Sequence, residues 1–354
     1  MVYGSWIKEM KSVRLHGTGN LQLHEEAVPV PGPGEKLVRV KAVGVCGSDL
    51  HWFADGSIGD AKLEHPLILG HEFGGVTEEG QRVAIDPAIP CGHCEFCGYG
   101  HPNLCANLIF AGHGKTDGAL REWMAWSEKS LFPIPDSLSD ADGAMLEPLG
   151  VAIHTVDLGK LRAGMTVGVF GCGPIGLMII QVAKLSGAAR IIATDKLAHR
   201  VDAAKSLGAD EAFLVDGDAR LEESALRSPR TGGLVETVRA ATDGRGVDVA
   251  FEAAGTQDAV DTSFAAVSTG GKVVLAGIPD DDRTSFSASV ARRKGLTIKL
   301  VRRMKHTYPR AIELVSKGLV DVRSIVTHRF PLEQASEAFR VAERREGLKI
   351  LIEV

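Results

Sequence analysis

Cys91-x2-Cys94-x2-Cys97-x7-Cys105 gathers four thiols within fifteen residues. Thiolates this close can converge on one tetrahedral ion, with Zn–S bonds of about 2.3 Å. Four sulfurs close the shell, so such a zinc holds a loop and does no chemistry. Two disulfides are the competing use of the same residues, and they need an oxidising compartment. The N-terminal MVYGSWIKEMK has no apolar signal-peptide core, so the reading is a cytoplasmic chain with a structural zinc.

A working metal needs about three protein ligands and one open position. Two cysteines remain. Cys172 lies inside a glycine-rich run and reads as packing. Cys46 lies in Gly44-Val45-Cys46-Gly47-Ser48-Asp49-Leu50-His51, and Gly70-His71-Glu72 follows downstream. Cys46, His71 and a carboxylate make a mixed sulfur, nitrogen and oxygen shell open to substrate. Each also has a structural use, as a buried thiol, a core histidine or a surface acid.

The run Gly171-Cys172-Gly173-Pro174-Ile175-Gly176 is a G-x-G-x-x-G motif. It follows an apolar strand and opens an apolar helix, the context that gives the motif its meaning. Gly171 allows the tight turn, Gly173 the approach of a pyrophosphate, and Gly176 close packing of helix on sheet. The helix N-terminus adds N–H donors and a positive dipole end for phosphate. Pro174 suits a first-turn position, where no N–H is needed. Asp195 ends the next strand, nineteen residues past Gly176. A carboxylate there accepts both ribose hydroxyls of NAD and repels the extra phosphate of NADP; a helix N-cap is its other use. Arg200 is placed against the adenine or at the surface.

Elements must carry these residues to one place. The first half reads as strand and loop, with apolar runs at Leu37–Val45 and Arg82–Ile85 broken by Gly and Pro. From Thr166 strands and helices alternate. Strands are predicted over Thr166–Phe170, Arg190–Asp195, Ala212–Val215, Val247–Glu252, Lys272–Ala276 and Leu296–Leu300. Helices are predicted over Ile175–Ser186, Leu197–Leu207 and Tyr308–Lys317, with a final strand over Lys349–Val354. The fold class is α/β, with a parallel doubly wound sheet in the second half. The polar stretch Ala219–Gly233 reads as an exposed excursion. No apolar run reaches the roughly 18 residues of a membrane span, and a net charge of −5 does not favour nucleic acid. Val290–Arg310 is the local exception, with eight Lys/Arg and no acid. It reads as a solvated or subunit-facing surface, or as a site for an anion.

Taken together, Cys46–His51, Gly70-His71-Glu72, the four cysteines, Glu147-Pro148-Leu149, Gly171–Gly176, Tyr308–Val315 and Val326–Leu332 resemble the zinc-dependent medium-chain alcohol dehydrogenases. The likeness is strongest to their polyol branch, typified by sorbitol dehydrogenase. It implies a GroES-like catalytic domain from 1–153 and 296–354 and a Rossmann NAD-binding domain over 154–295. It implies Cys46, His71 and Glu72 as the shell of a catalytic zinc, the second zinc of the chain. Glu147 resembles the carboxylate that holds the zinc-bound water or substrate. Ser48 resembles the hydroxyl that takes the substrate proton, His51 the next member of the relay, and Asp49 the partner of the His71 ring. Ala253, Gly277 and Arg303 join the cofactor contacts; Trp52, Phe110, Glu147 and Arg303 join the substrate pocket. The activity implied is hydride transfer between a polyol or secondary alcohol and NAD, by a homo-oligomer, most readily a tetramer. A sugar acid or sugar-alcohol phosphate is the alternative substrate, because Arg302-Arg303-Met304-Lys305-His306 departs from the F-R-Y-x-N of the sorbitol dehydrogenases. A second departure is Gly80-Gln81-Arg82-Val83, which follows a shorter loop than the family's G-D-R-V. A redox-inactive NAD-binding protein on the same fold is the third reading.

Overall fold

The computed structural model describes residues 9–215 and 232–354. The chain divides into two compact units. One takes the chain up to Gly150 together with Lys305–Val354, and the other is Val151–Met304. Most of the predicted excursion Ala219–Gly233 lies outside the described residues.

The first unit is built on a seven-stranded sheet whose central member is Glu35–Gly44. One edge of that strand pairs antiparallel with Glu72–Thr77, so that Gly44 stands opposite Glu72. The other edge is shared. Trp123–Ser127 covers its first half, and the C-terminal strand Lys349–Glu353 covers its second, with Leu351 opposite Gly44. The last strand of the chain is thereby delivered beside Val45 and Cys46. The short loop before Arg82–Ile85 forms a tight hairpin, closed by Thr77 N–H donating to Gln81 O at 2.9 Å. Beneath the sheet Val40, Phe53, Phe73, Met124, Phe339 and Ile352 form one buried cluster. Each such side chain contributes roughly 1.5–3 kcal/mol relative to exposure.

Two helices here depart from the strand-and-loop expectation. Gly47–Asp55 begins with two residues, Gly and Ser, that carry little helical periodicity. Asp140–Gly159 is a twenty-residue helix with Pro148 inside it, and proline inside a helical pattern is a breaker by rule. Its start is fixed reciprocally. Ser139 N–H donates to Asp142 at 2.7 Å, and Asp142 N–H donates to Ser139 Oγ at 3.1 Å, a capping box that satisfies two otherwise unpaired donors.

The second unit is a six-stranded, all-parallel sheet. Its spatial order is Glu211–Leu214, Arg190–Asp195, Thr166–Phe170, Val247–Glu252, Val267–Leu275, Thr297–Leu300. In chain order that is 3-2-1-4-5-6, the doubly wound arrangement that binds dinucleotides where the order reverses. The reversal falls between Thr166–Phe170 and Val247–Glu252. Three of the predicted strands have the observed bounds, and the helices differ by a residue or two at their ends. Among the described residues no helix is long and apolar enough to cross a membrane.

Candidate active site

Cys46 follows the central strand and is the N-cap of helix Gly47–Asp55. Glu72 opens the neighbouring strand and His71 immediately precedes it. One donor atom each from Cys46, His71 and Glu72 lies within 4.8 Å of the others. Asp49, 1% exposed, ties the two segments together. It accepts Cys46 N–H at 3.0 Å, Gly70 N–H at 3.3 Å, and the Nδ1–H of His71 at 3.2 Å. That last bond fixes the tautomer and leaves the Nε2 lone pair for an ion. Burial opposes charge on His71. The Asp49 carboxylate, and Cys46 after it, outweigh burial and raise the imidazole well above its usual range. A soft thiolate, an imidazole and a carboxylate are a donor set that fits zinc.

Ser48 Oγ lies 3.3 Å from His71 Nε2, at the edge of the cluster. His51, one helical turn on, holds Nδ1 3.5 Å from Asp55 Oδ2. Glu147 is buried in the long helix and is not one of the three residues whose donor atoms converge. Phe110 lays its ring 5.2 Å from that of His71. Trp52 is 2% exposed and belongs to the core cluster. Its indole meets His113 edge-on at 5.5 Å, and His113 in turn meets Phe110 at 6.4 Å. His113 is exposed, carries no motif, and had no signal in the sequence. Lys349, the buried lysine of the last strand, pairs with Glu72; it too escaped the sequence reading, because burial of a lysine is a tertiary fact.

In the cysteine loop Cys94 Sγ lies 3.5 Å from Cys97 Sγ and 3.8 Å from Cys105 Sγ. A tetrahedral shell with 2.3 Å bonds sets its sulfurs about 3.8 Å apart. All six cysteines are free, so no disulfide competes. Backbone donation from His93 brings Cys91 down to about 6, whereas burial pushes Cys97 up to about 12. Four cysteine sulfurs gathered at these distances are a donor set that fits a zinc ion, whose charge would favour the thiolate form of each.

The glycine-rich turn stands at the C-terminal end of Thr166–Phe170. Gly171 has φ +102°, and a Cβ there would meet Ala254 N at 2.7 Å. A Cβ on Gly176 would run into Gly171 O. Gly173 is the N-cap and Pro174 the first residue of the next helix, with Ile175 following. Asp195 accepts Cys172 N–H at 2.7 Å and Leu197 N–H at 2.9 Å. The helix that follows is capped by Leu197, so Asp195 is not its N-cap. Each carboxylate oxygen keeps lone pairs for further donors. Arg200 Nη1 reaches within 3.7 Å of where a Gly173 Cβ would stand. Ala253 N–H donates to Phe170 O at 2.8 Å and Gly277 N–H to Glu252 O at 3.2 Å, which sets both at this same end of the sheet. Glu252, unforeseen in the sequence, accepts Ala254 and Gly255 N–H at 2.8 and 2.7 Å and shapes that loop. Cys172 is buried, its thiol pushed up to about 12 by burial and then by Asp195, which fits packing rather than ligation. Backbone amides, a helix N-terminus and a strand-end carboxylate fit a dinucleotide.

The basic stretch has divided uses. Lys294 donates to the carbonyls of Phe264, Ala265 and Val267 at 2.7–2.9 Å, closing the end of helix Gln257–Ala266. Lys305 Nζ lies 3.0 Å from His101 Nδ1. Arg303 and His306 both take positive φ, 53° and 49°.

Comparison with known proteins gives two matching family models. The alcohol dehydrogenase GroES-like domain matches residues 32–136, and the zinc-binding dehydrogenase domain matches residues 174–317. A sorbitol dehydrogenase of Bacillus subtilis is 35% identical over 98% of this chain and 97% of its own. Among solved structures, a Sinorhizobium meliloti zinc-binding dehydrogenase with NADP bound has TM-score 0.86 and 30% identity, covering 98% of this chain and 99% of that one. L-Idonate 5-dehydrogenase of Escherichia coli has TM-score 0.87 and 25% identity, covering 98% of each chain.

Proposed function

Because this chain belongs to the zinc-dependent medium-chain alcohol dehydrogenases, on their sorbitol dehydrogenase-like branch, we propose that it oxidises a neutral polyol or secondary alcohol with NAD. The observation that supports this best is the convergence of Cys46, His71 and Glu72 beside the Ser48 hydroxyl. We assign the first three as ligands of a catalytic zinc and Cys91, Cys94, Cys97 and Cys105 as ligands of a structural one.

Bound zinc supplies Lewis acidity, which lowers the pKa of an alcohol toward neutrality. NAD supplies the hydride acceptor. The remaining work belongs to the chain. Ser48 accepts the proton of the reacting hydroxyl and passes it to His51, which stands against Asp55 and releases it to water. Asp49 keeps His71 oriented by accepting its Nδ1–H, which turns Nε2 toward the proposed ion. Glu147 orients a second hydroxyl, so vicinal diols are favoured. Phe110 supplies an apolar wall beside His71, while Trp52 backs His113 from the core. Asp195 takes the ribose hydroxyls, Gly171–Gly176 the pyrophosphate, and Arg303 the substrate or cofactor side of the site. The working form is a homo-oligomer.

The second reading, an anionic sugar acid or phosphate, is favoured by Arg302 and Lys305 and by likeness to L-idonate 5-dehydrogenase. NADH formation from matched polyols, sugar acids and sugar-alcohol phosphates separates the two. Neutral polyols are expected to give the highest kcat/KM. Higher values for an acid or phosphate, erased by Arg302→Ala, overturn the polyol assignment.

A further inference from the structure

Lys349 opens the last strand and is 3% exposed; Glu72, its ion-pair partner, is 1% exposed. Lysine is almost never buried this deeply unless it is paired. Its ammonium meets Glu72 Oε2 and donates to Val45 O at 2.9 Å. Three strands cooperate to make the space. Gly44 faces Glu72 on one side and Leu351 on the other. A side chain on Gly44 would run into Glu72 Oε2 and come within 3.1 Å of Lys349 Cε. The missing Cβ is what admits the pair.

Glu72 thus faces two cationic claims. A carboxylate has lone pairs on both oxygens, and here one oxygen already serves an ammonium. The charges sharpen the competition. The Cys46 thiolate and the Glu72 and Asp49 carboxylates together balance a dication and the Lys349 ammonium, but Asp49 is engaged by His71 and the Cys46 and Gly70 amides, so ion and ammonium both fall to Glu72. Ion and lysine repel each other and share Glu72, in a buried setting where screening is weak. We propose that Lys349 is a positioning residue that keeps Glu72 a weak, displaceable ligand, leaving the catalytic ion held chiefly by Cys46 and His71. Glu72 then gives way when a second donor from a polyhydroxylated substrate enters. This inference rests on the assignment of Cys46, His71 and Glu72 as a zinc shell.

The test is zinc release from the full-length protein to a chromogenic chelator at fixed mildly alkaline pH. The phase missing in Cys46→Ser identifies the ion in question. Lys349→Met is expected to slow that phase by about tenfold, the lower end of what partners of metal ligands usually contribute. Lys349→Arg, which keeps the charge, should stay near wild type. A merely structural lysine predicts the opposite sign, because a loosened pocket loses its ion faster. Unchanged or faster release from Lys349→Met overturns the inference. So does equal slowing by Lys349→Met in a Glu72→Gln background, since the effect must run through Glu72. Should Lys349→Met not fold, Lys349→Gln keeps the bond to Val45 O without the charge, and it carries the same expectation. Wild-type protein that binds only one zinc removes the shell itself and the inference with it. Two zincs with unaltered release overturn the inference alone.

Discussion

At the scale of the residue, chemistry-bearing side chains were readable where their types are rare and their spacing tight. Four cysteines in fifteen residues and a glycine-rich turn between an apolar strand and helix carry their meaning locally. Lys349 and Glu252 do not, because their roles depend on strands that meet only in the fold. Two outcomes belong to this scale. Ser48→Ala should lower kcat by at least about a hundredfold, the usual reach of a positioned proton acceptor, with zinc content unchanged; stopped-flow NADH formation and metal analysis check both. Asp195→Ala should lose roughly tenfold to a hundredfold in kcat/KM for NAD, as expected for removal of about 1.5–3 kcal/mol of hydrogen bonds to a charged group. The same change should narrow the gap to NADP. An unmodified enzyme that is faster with NADP, the cofactor carried by the Sinorhizobium meliloti relative, contradicts the ribose role.

Elements were legible in proportion to their regularity. Thr166–Phe170, Arg190–Asp195 and Val247–Glu252 could be read to the residue because each is a short, largely apolar and buried run between turn signals. Helix Asp140–Gly159 was hidden by Pro148 and by an apolar content that leaves little polar face. Its N-terminus supplies a prediction. Asp142 bonds Ser139 N–H and is paired with Arg323 at 2.7 Å. Burial works to raise its carboxyl, but Arg323 and the Ser139 bonds outweigh it and hold it below its usual value. A carboxyl lowered in the folded state stabilises fully above the unfolded value of about 3.9 and loses that stabilisation as pH falls through the folded value. Asp142→Ala should therefore cost about 1–2 kcal/mol near neutrality, a typical loss for a helix cap, and the deficit should shrink below pH about 4. Denaturant midpoints taken from neutral pH downward measure it; a deficit independent of pH contradicts the assignment. The cysteine loop is the second such element. Cys97→Ser should lower the thermal midpoint while turnover per remaining zinc stays near wild type.

At the scale of the whole molecule, the return of the C-terminal strand to the first sheet was implied only by resemblance. Periodicity records which residues alternate and not which distant strand pairs with which, so Lys349–Glu353 beside Glu35–Gly44 had no local signature. The observed units break after Gly150 and after Met304, against expected breaks after 153 and 295. The first break falls inside one continuous helix, where no loop composition marks it. Two metal sites with separable duties are the central claim, one shell closed by sulfur and the other mixed and open. Zinc per chain, measured on fully reconstituted wild type and Cys46→Ser together with turnover, tests it most directly. The account predicts two zincs in the wild type, and one zinc, a cooperative fold and no turnover in the variant. One zinc or none in the wild type, or a Cys46→Ser protein that keeps both zincs and its activity, would contradict it.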